Sequence, residues 1–174
     1  MAVPIARELG LRVMVTGNAR AREEFLAMGV ERYIDYRQES YWEVVPGVDL
    51  VIDTLGAGEF EHEFSVLKRG GRLLSLRTSP NGEFARRNGF PWYKRALFTL
   101  AGMKYDLSAR RQDKEYRFVF VHADGAQLRR ITEIVERNHI VPAVDPHTFS
   151  LEEINDAMRL VAVGPINGKV IVRM

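Results

Sequence analysis

Cysteine is absent from this 174-residue chain, which rules out a disulfide, a thiol nucleophile and a thiolate metal ligand. No apolar run approaches the ~20 residues a membrane-spanning helix needs. The first ten residues, with Pro4, Arg7 and Glu8, hold no signal-peptide apolar block. Charge of one sign is scarce too: 25 basic and 23 acidic side chains leave +2, too balanced for a nucleic-acid binder. There is no Gly-X-Y period, heptad or internal repeat, which excludes a fibre or a solenoid. What remains is an ordinary globular balance, 46% hydrophobic and 28% charged, on a length suited to one domain, or one domain with an appendage. A soluble, cytoplasmic protein is expected, with neither nucleic acid nor membrane as partner.

Short apolar runs alternate with amphipathic segments. Residues 11–16 (LRVMVT) read as a strand ending in the Gly17-Asn18 turn. Ala21, Phe25 and Met28 then share one helical face, closed by Gly29. A short strand is expected at 33–36, a short helix at 37–45 before Pro46-Gly47, and a buried strand at 48–53 (VDLVID). Phe60, Phe64 and Leu67 mark a helix over 59–68, stopped by Gly70-Gly71, with a strand at 72–76. Strands separated by helices of this length imply βαβ units and a parallel sheet. Residues 116–121 alternate as a strand. A helix over 125–137, an extended stretch at 140–144, a Ser150–Glu153 capping box opening a helix, and a last strand at 169–172 complete the pattern. The fold class is therefore α/β.

Charge is unevenly spread. Residues 84–117 hold nine basic and three acidic side chains, a local +6, leaving 16 basic and 20 acidic, or −4, elsewhere. The block also carries Phe90, Trp92, Tyr93, Leu97, Phe98 and Leu100. The plainer reading, a solvated helix that buries its aromatics and exposes its Lys and Arg, is preferred to a helix for membranes or nucleic acid.

Five stretches in this order resemble the medium-chain dehydrogenase/reductase superfamily, in its zinc-binding dehydrogenase and NADPH:quinone oxidoreductase-like branch: ARELGLRVMVTGNAR, FLAMGVERYIDYRQE, VDLVIDTLGAGEFEHEFSVLKRGGRLLSL, YRFVFVHADGAQLRRITEIVE and FSLEEINDAMRLVAVGPINGKVIV. They cover nearly the whole chain. The resemblance implies a three-layer Rossmann-like domain over 1–122 and a C-terminal α+β segment over 123–174 that packs, in the family, on a catalytic lobe. Against that pattern the chain begins inside the first helix. The preceding strand, its Gly-rich pyrophosphate turn and the lobe that carries most substrate contacts are expected to be missing. In the strand order 3-2-1-4-5-6 the missing strand is the central one. An N-terminally truncated form, binding NADP(H) weakly and turning over little, is the expectation. Its open sheet edge would be closed by pairing residues 11–16 with 48–53, or by a homodimer or larger assembly.

Site residues follow from pattern and resemblance together. After the strand ending at Gly17, Asn18 and Arg20 stand where an acidic residue would hold the ribose 2′-hydroxyl of NAD; a small residue and a cation suit the 2′-phosphate of NADP. A turn opening a solvated helix is an equally good reading. Tyr36 resembles the tyrosine near the adenosine phosphate, or is a packed strand-end aromatic. Asp53, Thr54 and Gly56 sit at a strand's carboxyl end, either contacting cofactor or capping a turn. By resemblance, Phe120 and Val121 flank the nicotinamide, and Gly168 and Lys169 the phosphate. Metal is not expected: His62, His122, His139 and His147 are scattered, with no i, i+4 pair. No general acid or base stands out. Hydride transfer from NADPH to a small carbonyl, enone or quinone is what the resemblance implies, with a class I S-adenosylmethionine-dependent methyltransferase, or a non-catalytic self-associating remnant, as alternatives.

Overall fold

The structure, a computed structural model, describes residues 2–164, 166 and 168–173. In chain order the elements are α1 (Ala2–Glu8), β1 (Met14–Gly17), α2 (Arg22–Ala27), β2 (Arg32–Asp35), α3 (Tyr41–Val44), β3 (Val48–Asp53), α4 (Phe60–Ser65) and β4 (Leu67–Ser75). There follow α5 (Gly82–Arg87), α6 (Trp92–Arg111), β5 (Glu115–Phe118), α7 (Gly125–Arg137), β6 (Val144–Ser150), α8 (Ile154–Val163) and β7 (Lys169–Arg173). No helix among the described residues is long and apolar enough to cross a membrane.

Two compact units share these elements. The larger comprises Val15–Arg22 and Tyr33–Ala123; the smaller comprises Met1–Met14, Glu23–Arg32 and Asp124–Met174. In the larger unit β3, β4 and β5 form a parallel sheet in that order. The α/β class with parallel strands is what the alternating pattern required. Phe60, Phe64, Leu67, Leu73, Phe84, Ala109, Tyr116 and Phe118 form its core, with the Phe60 and Phe64 rings stacked 4.7 Å apart. Each buried aromatic or leucine contributes about 1.5–3 kcal/mol over its exposed state.

Strand β3 forms over the expected residues, but β4 starts earlier than the glycine pair suggests. Val48 pairs with Leu67 and Leu50 with Arg72, so β4 advances five residues while β3 advances two. Gly70, at φ +76°, and Gly71 form a bulge inside the strand rather than a stop before it. Leu67 leaves the helical face expected for it and enters the sheet, where it is buried.

One further expectation fails and another holds only in part. Residues 11–16 do not pair with 48–53: β1 joins β2 in a separate two-stranded sheet, while β3 is joined to β4. Each strand finds its neighbour through the next crossover, and the far edge of β3 stays open among the described residues. The basic block buries its aromatics only in part: Phe84 and Tyr116 enter the core. Phe90 and Phe98 are half-buried around Phe84, but Trp92 and Tyr93 are 79% and 56% exposed. The buried positions of α6 are the small residues Gly102 and Ala109.

In the smaller unit, α1 packs on α7 and Glu8 pairs with Arg137 at 3.6 Å. The Arg7 guanidinium donates to the Met28 carbonyl, and Arg12 pairs with Glu31. Strands β6 and β7 run parallel. Half of the expected capping box forms: the Ser150 N–H donates to Glu153 Oε2 at 2.8 Å just before α8.

Candidate cofactor-binding edge

Parallel strands deliver their carboxyl ends to one edge. Asp53 pairs in register with Ser75, and Ser75 with Phe118, so the turns after β3, β4 and β5 emerge together. Strands β1 and β2 also run in one direction, because Glu31 N–H donates to Val13 and Tyr36 N–H to Gly17, advancing together. Carboxyl edges of open parallel sheets are where ligands bind.

Asp53 builds the turn after β3. It is fully buried, and its Oδ1 accepts the Leu55 and Gly56 N–H groups, each at 2.7 Å. Its Oδ2 accepts the hydroxyls of Ser75 and of Thr78, the latter at 2.8 Å. Burial pushes its pKa up, but the hydrogen bonds from Ser75, Gly56, Thr78 and Leu55 outweigh burial and hold it below the ordinary aspartate value. Gly56 sits at φ +101°, a conformation open to glycine. What the turn offers outward is Thr54 and Leu55, both exposed. The next turn is tied down in the same way: Ser75 Oγ accepts the Thr78 N–H, and the Tyr116 hydroxyl donates to the Ser79 carbonyl and accepts its N–H.

Glu63 of α4 lies behind Asp53. It is 5% exposed, and no donor among the described residues reaches its Oε2, while a hydrogen bond to Asp53 favours its protonated form. Burial first, and the Asp53 charge second, push its pKa up to about 8. Beside it, the Tyr41 hydroxyl donates to Glu59 at 3.2 Å, and burial raises the Tyr41 pKa. His62, expected on a solvated helix face, stacks on Trp42 with centroids 3.7 Å apart.

At the end of β1, a side chain on Gly17 would collide with the Tyr33 hydroxyl, which donates to the Asn18 carbonyl at 2.7 Å. Asn18 Oδ1 accepts the Arg20 N–H at 3.1 Å and so caps a single 3-10 turn, Ala19–Ala21. The Arg20 side chain is exposed and has no ion-pair partner among the described residues. Tyr36 is 57% exposed, with Arg37 over its ring at 5.8 Å. Asp35 is buried and accepts the Arg37 N–H, so it does not present its carboxylate outward.

Gly17, Asn18, Arg20 and Tyr36 thus form one cluster, and Asp53, Thr54 and Gly56 a second. Phe120 and Val121 follow β5, 67% and 78% exposed. All nine belong to the larger unit. Gly168 and Lys169 belong to the smaller one, where Gly168, at φ +119°, has the Ala143 carbonyl in the place of a side chain. Sequence reasoning missed Ser75, Thr78 and Glu63, since no local motif links them to Asp53. It missed Arg37 too, although its place next to Tyr36 in the sequence was a signal that could have found it. Among the described residues no three His, Asp or Glu side chains gather as metal ligands.

A family model described as zinc-binding dehydrogenase matches residues 28–172. The chain is 27% identical over 178 residues to a phenolphthiocerol/phthiocerol polyketide synthase component of Mycobacterium tuberculosis, covering 98% of this chain and 8% of that protein. It is 24% identical over 164 residues to 2-methylene-furan-3-one reductase of Solanum lycopersicum, covering 92% and 33%. A quinone oxidoreductase from Coxiella burnetii shares its fold with a TM-score of 0.74 at 20% identity, covering 99% of this chain and 48% of that one. An alcohol dehydrogenase superfamily protein from Novosphingobium aromaticivorans is similar with a TM-score of 0.71 at 26% identity, covering 99% and 52%. The chain spans less than half the length of these curated relatives and about half that of the solved ones. Because the family match spans residues 28–172, from just after α2 into β7 and well over half of the chain, the chain belongs to the zinc-binding dehydrogenase family.

Proposed function

We propose that the chain is the cofactor-binding part of an NADP(H)-dependent oxidoreductase acting on a small carbonyl, enone or quinone. One observation carries the reading: the turn after β1 presents Asn18 and an Arg20 guanidinium without an ion-pair partner among the described residues, where an NAD-specific site would present a carboxylate. A guanidinium meets a 2′-phosphate with two parallel hydrogen bonds. Arg37, next to Tyr36, adds a second cation without an acidic partner among the described residues. The names of the Solanum reductase and the Coxiella quinone oxidoreductase support the choice of reaction class.

A dinucleotide at this edge would meet two shaped turns: Gly17 makes room for the Tyr33 hydroxyl that ties down the Asn18 carbonyl, and Gly56 holds the turn shaped by Asp53. On this reading the Tyr36 ring lies along the adenosine and Thr54 donates its hydroxyl. Phe120 and Val121 form an apolar wall beside the nicotinamide. The nicotinamide, when bound, supplies the hydride, and these side chains orient it and exclude water. The family match favours this reading over a methyltransferase.

Calorimetric titration with NADPH and NADH tests the proposal. NADPH should bind more tightly, and Arg20→Ala should weaken it about tenfold while leaving NADH unchanged. Tighter NADH binding, or an Arg20→Ala variant with unaltered NADPH affinity, overturns it. The resemblance assigns acceptor positioning to residues beyond the matched stretch. The isolated chain should therefore oxidise NADPH with a quinone hardly faster than the uncatalysed reaction.

A further inference from the structure

Helix α6 is apolar on two opposite faces. Phe98, Gly102, Tyr105 and Ala109, spaced by four, three and four residues, turn toward the core of the larger unit. Tyr93, Leu97, Leu100, Met103 and Leu107 recur on the other side, spaced by four, three, three and four. These five are 56%, 63%, 68%, 56% and 45% exposed, and Trp92 at the helix start is 79% exposed. A surface helix ordinarily turns polar residues outward, whereas α6 turns a stripe of large apolar side chains outward between its charges.

The charges indicate what covers it. Lys94 and Arg95 stand near one end of the stripe, and Lys104, Arg110 and Arg111 near the other. None of the five has an ion-pair partner among the described residues, but Arg95 donates to the Phe90 carbonyl and Lys94 lies 5.5 Å over the Phe90 ring, which leaves Lys104, Arg110 and Arg111 beside the outer stripe. The one acid of the helix, Asp106, is engaged by the Asn81 amide at 2.6 Å. A second copy of α6 laid on the first would oppose cations to cations with no exposed acid between them. An acidic protein segment would have to match both the stripe and the cations beside it. An anionic bilayer offers negative charge along the whole length of the helix, about 30 Å, with apolar depth beneath it. Exposed Trp and Tyr at a helix end suit the boundary between headgroups and acyl chains.

We infer that the outer face of α6 docks in the plane of an anionic lipid surface, with Tyr93, Leu97, Leu100, Met103 and Leu107 in the acyl boundary and Lys104, Arg110 and Arg111 among the headgroups. The contact is peripheral, and it is independent of the cofactor reading.

Co-sedimentation of the purified chain with phosphatidylcholine vesicles, and with vesicles of equal parts phosphatidylcholine and phosphatidylserine, tests this. The chain should bind the anionic vesicles at least tenfold more tightly, and Trp92 emission should shift to the blue on binding, read in a Trp42→Phe background. Leu97→Ser and Leu100→Ser should each weaken binding about tenfold. Lys104→Ala and Arg111→Ala should each weaken it about fivefold and keep the test valid if serine loosens the helix. Equal affinity for both vesicles, no binding to either, or serine and alanine variants that bind like the parent overturn the inference. So does a vesicle-independent dimer dissolved by Leu100→Ser, or saturable capture of an acidic amphipathic peptide without vesicle binding; these would assign the face to a second copy or to a protein.

Discussion

Asp53 and Glu63 are both carboxyl groups buried at the foot of one turn, and they hold opposite charge states at neutral pH. Four hydrogen-bond donors keep Asp53 ionised, whereas burial first, and then the charge of Asp53 and a hydrogen bond to it, let Glu63 keep its proton up to about pH 8. The consequence for stability follows from linkage. Below the ordinary glutamate value of 4.5, Glu63 is protonated in both folded and unfolded chains. As pH rises, the unfolded chain releases this proton first, so stability falls progressively until about pH 8, where the folded state releases it too. Glu63→Gln, neutral at every pH, should remove that slope and leave the variant more stable than the parent above about pH 8, by on the order of a few kcal/mol. Urea unfolding at mildly acidic and mildly alkaline pH checks it. A parent chain whose unfolding midpoint does not fall between the two would show that Glu63 ionises normally. None of this is legible locally: Glu59, Glu61 and Glu63 around His62 read as a solvated face, and burial by α3 and the turn after β3 decides otherwise.

Helices α5 and α6 meet through small residues. Asn81 caps α5 by accepting the Phe84 N–H at 3.0 Å, and its amide reaches Asp106 of α6. Gly102 lies so close that a side chain there would overlap Asn81, including its Cα at 2.7 Å. Backbone cannot swing aside as a flexible side chain does, so Gly102→Ala must push the two helices apart. It should destabilise the chain by about 1–3 kcal/mol, read as a lower urea midpoint. Gly125, at the start of α7, has open space around it and an ordinary φ. Gly125→Ala should leave the midpoint unchanged or raise it by a few tenths of a kcal/mol. Equal losses in the two variants would mean that close approach is not what requires glycine at position 102.

In the larger unit, β3 presents an edge with no strand partner among the described residues, and Leu50 and Ile52 are 40% and 58% exposed. Leu50, Val51 and Ile52 form the apolar centre of this strand, and an open apolar edge is a template for another strand. The isolated chain should therefore form a dimer or larger assembly that buries more than about 1,000 Å². Sedimentation equilibrium in dilute solution measures this directly. Ile52→Lys should shift the distribution toward monomer, since a charge on an edge strand opposes edge pairing. A parent chain that stays monomeric would show that β3 needs no partner. Leu100→Ser, on α6, should leave this association intact.

Much was legible before any coordinates. The alternation of apolar runs and glycine turns gives the α/β class, places β3 over residues 48–53, and brings Gly17, Asn18, Arg20 and the 53–56 turn to carboxyl ends of strands, but it leaves α5 unread and sets an extended stretch at 140–144 where β6 runs Val144–Ser150. Those features are local, because a strand, a cap or a turn is set by residues within about one helical turn of one another. Tertiary structure alone decided that the Asp53 carboxylate points inward to Ser75 and Thr78, 22 and 25 residues away. It decided that Tyr116 pins Ser79 from 37 residues away, and that the small residues of α6, not its exposed aromatics, are buried. It also decided that Gly70-Gly71 is a bulge rather than a stop, because Leu67 pairs with Val48. Burial, protonation state and strand partner are properties of neighbours distant in sequence, and periodicity along the chain carries no record of which neighbours those are.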